Sequence, residues 1–259
     1  MKMTKRTLLA KAGKQTQRNQ IQNTIRDLLD DLDVKAEITG VIADRWLQID
    51  ISGEDEGIAT NYVSREIGFC PENIQKVSRF AVLKGYMTSI ENRKEELTVD
   101  IGIFEPQTIN AKIPLSHLQA QLADGKALEL KKITELYGFG KDLPVMVKAE
   151  KIDTTRMQIE AGLATEQILK YRSWIESLLD RLIVIGASSD DIKGALKHTG
   201  LWRDVIDIET LGIFEHALTC KLGTDAVGLI SVIGRNLRNA RIISFNARKA
   251  MESFPSLKT

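Results

Sequence analysis

The chain has 259 residues, with 36 Lys+Arg against 35 Asp+Glu, 43% hydrophobic and 27% charged residues. A mixture this close to the soluble globular average excludes a disordered tail, a fibrous repeat and a uniformly basic nucleic-acid binder. No run approaches the ~18 apolar residues of a membrane span. The first twenty residues lack the apolar stretch of a secretory leader, and Cys70 and Cys220 lie far apart, as expected in a reducing cytoplasm.

The formal net charge of +1 conceals an uneven distribution. Residues 1–20 carry six bases and no acid, and residues 221–259 carry seven bases against two acids, leaving −10 for the 200 residues between. A chain that is neutral on average but basic at both ends can still present an anion-binding surface. On this reading, residues 2–18 and 235–249 are expected on one surface.

In chain order, residues 4–12 (TKRTLLAKA) read as a strand. Residues 14–33 follow as a helix, with Ile21, Ile25, Leu28, Leu29 and Leu32 on one apolar face. Val34, Ala36 and Ile38 alternate with polar neighbours, as do Leu47, Ile49 and Ile51, which predicts two half-buried strands joined near Ala43–Asp44. Residues 53–67 read as a second helix, opened by Glu54, Asp55 and Glu56 and stopped by Gly68. A short strand is expected at 74–77. The order βαββαβ predicts a ferredoxin-like α+β domain over 1–78.

From Phe80 the pattern changes to consecutive strands at 81–90, 96–104, 109–115, 144–152 and 156–163, with a short helix at 116–122. Five strands with a helix between the third and fourth is the layout of an OB-type β-barrel, here over 79–163. Lys84-Gly85, Val99-Asp100-Ile101-Gly102, the run from Ile113 through Pro114 to Leu118, and the closing hairpin (145–153 with 156–163) carry a resemblance. The region resembles the RNA-binding OB repeat of the largest bacterial small-subunit ribosomal protein, found also in exosome and translation initiation subunits. The resemblance implies contact with RNA. In such repeats an aromatic on the second strand and a His before the Ile-Ser step stack on unpaired bases. Here those positions are Leu97 or Thr98, and Pro114. Phe104, Tyr137 and Phe139 are the remaining aromatic candidates, each read first as core. His117 is read as solvated or capping.

After Ala164 the pattern is helical again, with Ile168, Ile175, Leu178, Leu179 and Leu182 periodic behind Thr165. Residues 182–185 read as a buried strand, Ser189 as the cap of a helix at 190–198 stopped by Gly200, and 205–208, 216–222 and 241–245 as further strands. Thr224 and Asp225 open a helix expected to run through Leu237. The resulting β-β-α-β core makes 164–259 a C-terminal α+β domain, KH-like or ferredoxin-like. Arg235 and Arg238 are expected on one helix face with Arg241 just beyond, suited to phosphate contacts. The run Val232–Leu237 approximates the KH loop, but Leu237 stands where the second Gly of that clamp belongs. Residues 210–228 (TLGIFEHALTCKLGTDAVG) resemble the C-terminal hallmark of an uncharacterised archaeal domain-of-unknown-function family with this order of domains. That resemblance implies an archaeal, cytoplasmic protein of the information-processing machinery and brings no established activity.

Nucleotide P-loops, Gly-x-Ser-x-Gly elbows and His-Glu-x-x-His zinc sites are absent from the sequence. His216 and Cys220 share a face if 216–222 is a strand, but no further ligands are evident, and no metal is assigned. Glu215 and His216 would need a cleft to do acid/base work. The sequence therefore reads as an α+β protein with a central OB barrel, acting as a non-catalytic RNA- or ribonucleoprotein-binding factor of the translation or RNA-processing machinery. The candidate RNA contacts are Lys2, Lys5, Arg6, Lys11, Arg235, Arg238, Arg241, Arg248 and Lys249, with no catalytic residue, no small-molecule cofactor and no membrane partner. The competing readings are a protein–protein adaptor built on a degenerate barrel, and an enzyme acting on RNA at Glu215 and His216.

Overall fold

The computed structural model describes residues 4–90 and 95–253. By contacts the chain forms two compact units: one runs to Val77 and includes Ile101–Asn110, and the other takes Ser78–Asp100 and everything from Ala111 on. Among the described residues no helix is long and apolar enough to cross a membrane.

The first unit runs β1 (Thr4–Lys11), α1 (Gln15–Leu28), β2 (Val34–Ile42), β3 (Trp46–Gly53), α2 (Glu56–Glu66) and β4 (Glu72–Asn73). Its antiparallel sheet has the order β1-β3-β2, with Leu47, Ile49 and Ile51 of the central strand fully buried, as are Ile21 and Ile25 of α1 and Ala59 and Val63 of α2. Helix α1 stops at Leu28, five residues before the expected end, because the chain must reverse into β2 beside Gly53. That glycine has φ +147°, and a Cβ on it would lie 2.3 Å from the Asp33 carbonyl oxygen. The strand expected at 74–77 is instead a 3-10 turn (Ile74–Lys76), capped by the Asn73 side chain accepting from Gln75 N at 2.8 Å. The place of a fourth ferredoxin-like strand, beside β1, is taken by residues 68–70, through Leu9 N to Gly68 O and Cys70 N to Thr7 O. Pro71 follows at once, and with no N–H to donate it ends that pairing.

The barrel consists of β5 (Val82–Met87), β6 (Glu96–Glu105), β7 (Ile109–Pro114), β8 (Pro144–Asp153) and β9 (Gln158–Leu163). Its order is β6-β5-β8-β9-β7, and the β6–β7 pairing closes it as an OB-type barrel. Between β7 and β8 lie two helices, α3 (Leu115–Leu122) and α4 (Leu130–Tyr137), where one was expected. Helix α4 buries Leu130, Ile133, Leu136 and Tyr137 and ends at Gly138 in the left-handed conformation.

The rest of the second unit runs α5 (Thr165–Glu176), β10 (Arg181–Ile185), α6 (Ser189–Thr199), β11 (Val205–Thr210), β12 (Glu215–Cys220), α7 (Ala226–Ile233), β13 (Arg241–Phe245) and α8 (Ala247–Ser253). The antiparallel sheet β11-β12-β10-β13 places its βαββαβ strands in the ferredoxin-like order rather than a KH order. One face packs Leu182, Val184, Leu218 and Cys220 against Ile192, Leu196, Leu229 and Ile233 of α6 and α7. On the other face an aromatic chain runs Tyr137–Tyr171–Trp174–Phe245, with ring centroids 5.4–5.6 Å apart in edge-on pairs. This cluster joins α4, α5 and β13 within the second unit.

Two expectations are corrected here. The cap of α6 is Ser188, which accepts from Asp191 N, not Ser189. Helix α7 ends at Ile233, so Arg235 and Arg238 lie in the turns beyond it rather than on a helix face. The chain tightens there because Asn236 N reaches back to Ile233 O, and Leu237 turns into the apolar core.

Candidate nucleic-acid interface

On the barrel wall, β5 and β8 pair antiparallel with Val82 opposite Lys148 and Lys84 opposite Met146. The alternation of a strand sends these side chains outward while Val145, Val147 and Ala149 fill the barrel. Phe80 stands at the head of this wall, with 54% of its surface exposed. Its ring lies 4.5 Å from the Arg79 guanidinium carbon and 5.3 Å from Lys148 Nζ, both within cation–π range. The Phe80 backbone is left-handed, at φ +68°, which is uncommon for a bulky residue and costs of order 1–3 kcal/mol. Phe80 N donates to Ala149 O at 2.7 Å, which holds the turn. Arg79 Nε donates to Glu150 O at 2.9 Å, which keeps the guanidinium beside the ring.

The wall continues into a cavity of about 160 Å³ lined by Lys84, Met146, Gln167, Lys170, Tyr171 and Trp174 among others. Gln167 Oε1 accepts from Met146 N at 3.1 Å, tying α5 to β8. The Glu209 carboxylate accepts from Lys170 Nζ at 2.8 Å and from Trp174 Nε1 at 2.9 Å. Burial pushes the Lys84 ammonium below the usual lysine range, and the Glu215 carboxylate opposes that shift. The wall and cavity thus join four cations, an exposed aromatic ring and the exposed Val82.

A second cluster lies where α3 crosses β8 and β9. His117 Nδ1 is 3.5 Å from Glu150 Oε2, and His117 Nε2 is 4.0 Å from Glu160 Oε1. One donor atom from each of the three residues lies within 4.8 Å of the others, the only such group of three or more metal-binding side chains among the described residues. His216 and Cys220 gain no further ligand there. Both are buried, and burial pushes the Cys220 thiol up to about 11. Burial also lowers the His216 imidazole. Glu215 and His216 are consecutive on β12 and so face opposite sides of the sheet, with exposures of 7% and 2%. They share no cleft.

The residues expected to bind RNA have varied fates. Lys2 lies outside the described residues. Lys5 and Arg6 are exposed on β1, with Arg6 5.8 Å from the Phe69 ring. Lys11 is committed internally: its side chain is only 6% exposed, 3.0 Å from Asp44 Oδ2 and 4.6 Å from the Trp46 ring. Arg235 and Arg238 are exposed, with Arg238 Nε donating to Arg235 O at 3.3 Å. Arg241 donates to Lys141 O at 2.7 Å, and Arg248 and Lys249 are exposed on α8. The N-terminal bases belong to the first unit and the C-terminal bases to the second. Tyr137 and Phe139 are core, as first read. Arg79, Phe80, Lys84, Lys148 and Lys170 were missed as a group. Their signal was the Arg79-Phe80 pair and the outward Lys of each alternating strand, read only as barrel pattern.

Comparison with known proteins finds three family models along the chain: the DUF2110 N-terminal domain over residues 10–72, the DUF2110 central domain over 78–175 and the DUF2110 C-terminal domain over 179–244. No curated protein matches the chain.

Proposed function

The chain belongs to the DUF2110 family, and we propose that it is a non-catalytic factor that binds single-stranded RNA, or ribonucleoprotein, on the barrel wall. The observation that carries this reading is Phe80, half-exposed between Arg79 and Lys148. An exposed ring flanked by cations is the grip of sequence-tolerant single-strand binders: the base stacks on the ring and the cations take the adjoining phosphates. Lys84 and Lys170 extend the cationic path, and Lys84 makes no hydrogen bond or ion pair among the described residues. Arg235, Arg238, Arg248 and Lys249 serve as additional phosphate contacts, in keeping with the charge at the chain's C-terminal end. The resemblance of the barrel sequence to the ribosomal RNA-binding repeat favours RNA over DNA and a place in translation or RNA processing, hence the cytoplasm.

Fluorescence anisotropy with mixed-sequence single-stranded RNA, ribosomal RNA and transfer RNA over a salt series tests this. Binding should weaken steeply with salt, and Arg235→Ala with Arg238→Ala should flatten the slope. Micromolar protein that shows no salt-dependent shift with any of these RNAs overturns the proposal.

A specific observation favours an adaptor role as the second reading. Trp202, Ile206 and Leu222 are 54%, 57% and 65% exposed, and Lys221 N donates to Asp204 O at 2.8 Å, which sets their segments side by side. Exposed apolar groups of this size suit a protein partner. A partner that stays bound after nuclease treatment and is released by Trp202→Ala would establish this role.

A further inference from the structure

We propose that His117, Glu150 and Glu160 form a binding site for a first-row divalent cation on the barrel wall. One imidazole with two carboxylates suits Zn2+ or Mn2+ rather than a purely oxygen-seeking or a purely thiol-seeking ion. Bonds of 2.0–2.2 Å to neighbouring corners of a tetrahedron set donor atoms roughly 3.4 Å apart. One ligand atom from each of the three residues lies within 4.8 Å of the other two, so side-chain rotations close the set.

Three features of the fold hold the donors in place. The register of β8 on β9 passes from Ala149–Ala161 to Lys151–Glu160, so Glu150 is the extra residue of a β-bulge. Bulges re-aim a side chain, and this one brings the Glu150 carboxylate beside His117. Gly162 leaves the room that carboxylate needs: a Cβ there would lie 2.8 Å from Glu150 Oε1. One helical turn after His117, Gln121 clamps α3 to β9, donating to Leu163 O at 3.1 Å and accepting from Leu163 N at 2.9 Å.

The partners of each donor are also those of a cation site. His117 Nδ1 lies 3.4 Å from Ala161 O. A ligating imidazole characteristically donates its other N–H to a carbonyl, and Ala161 O stands within reach of this ring. The Glu150 side chain has no ion-pair partner but His117 among the described residues. Glu160 is occupied by Lys151 Nζ at 2.6 Å, an ammonium that stands in for a cation and must swing away when one binds. Lys151 is 71% exposed and free to do so. Three protein donors leave a position for water or another oxygen ligand. The site does not depend on the RNA-binding reading.

The test is calorimetric titration of Zn2+, and separately Mn2+, into the chelator-stripped full chain. The expected result is one Zn2+ bound per chain, weakened at least 10-fold by His117→Ala and by Glu150→Gln. Lys151→Ala should tighten binding several-fold by removing the competing ammonium, a gain that a misfolded variant does not give. The absence of Zn2+ and Mn2+ binding, or binding unchanged in His117→Ala, overturns the proposal. The latter result would place the metal at another group such as a thiol.

Discussion

Phe80 offers a substitution pair in which stability and binding part company. The ring is 54% exposed, so removing it re-exposes about half of a phenyl surface of ~200 Å², roughly 2 kcal/mol at ~25 cal/mol per Å², whether Ala or Gly replaces it. The backbone separates the two variants. At φ +68° an alanine keeps a left-handed penalty of ~1–2 kcal/mol that glycine escapes, while the greater freedom of unfolded glycine returns about 0.5–1 kcal/mol of that advantage. Phe80→Gly should therefore be more stable than Phe80→Ala by roughly 0.5–1 kcal/mol, about 2 °C in melting temperature for a chain of this size. Both variants should weaken binding of single-stranded RNA equally, by a factor of ~5–150, the value of ~1–3 kcal/mol per stacked base. Thermal melting and anisotropy on the same two proteins check both halves. If Phe80→Ala is the more stable variant, the left-handed geometry that presents the ring is wrong. If both variants bind RNA like the parent chain, no base stacks there.

Removing Arg79 and Lys148 together should reduce the slope of log affinity against log salt by about 1.4, at ~0.7 per phosphate contact on a single strand. An unchanged slope would take both cations out of the interface. His216 bears on acid stability: burial lowers its folded-state pKa beneath the ordinary 6.5, so below pH 6.5 the unfolded chain binds the extra proton. Its contribution is complete above pH 6.5 and is lost as pH falls below that value, by up to ~1.4 kcal/mol per pH unit until the folded-state value is reached. His216→Leu should flatten denaturant-measured stability between pH 6.5 and 5.5 relative to the parent. Gly53→Ala should cost about 3 kcal/mol or more, because the new Cβ meets backbone of Asp33 and Val34 at 2.3 and 2.7 Å, which no side-chain motion relieves. A melting curve like the parent's would contradict that close approach.

Much of the fold was legible because apolar periodicity is a local property. The alternation at Leu47, Ile49 and Ile51, the helical spacing of Ile21 and Ile25, and the succession of five barrel strands along the chain all follow from which faces must be buried. Helix ends were less legible, because tertiary demands override propensity: Leu237 turns into the core and ends α7 early, and Pro71 ends the fourth-strand pairing of the first unit. The candidate interface was missed for a related reason. Basic residues crowd at the two ends of the chain, yet Lys11 serves its own unit through Asp44 and Trp46.

By itself, the sequence determined the α+β class, the central barrel and the uneven charge, since each depends on composition and short-range pattern. Only the tertiary structure decided which charges matter together. Strand pairing set Lys148 opposite Val82, close to Phe80, and a bulge brought Glu150 beside His117. Residues 30–70 positions apart became neighbours through backbone hydrogen bonds between strands, and that pairing is written in no local stretch of the chain.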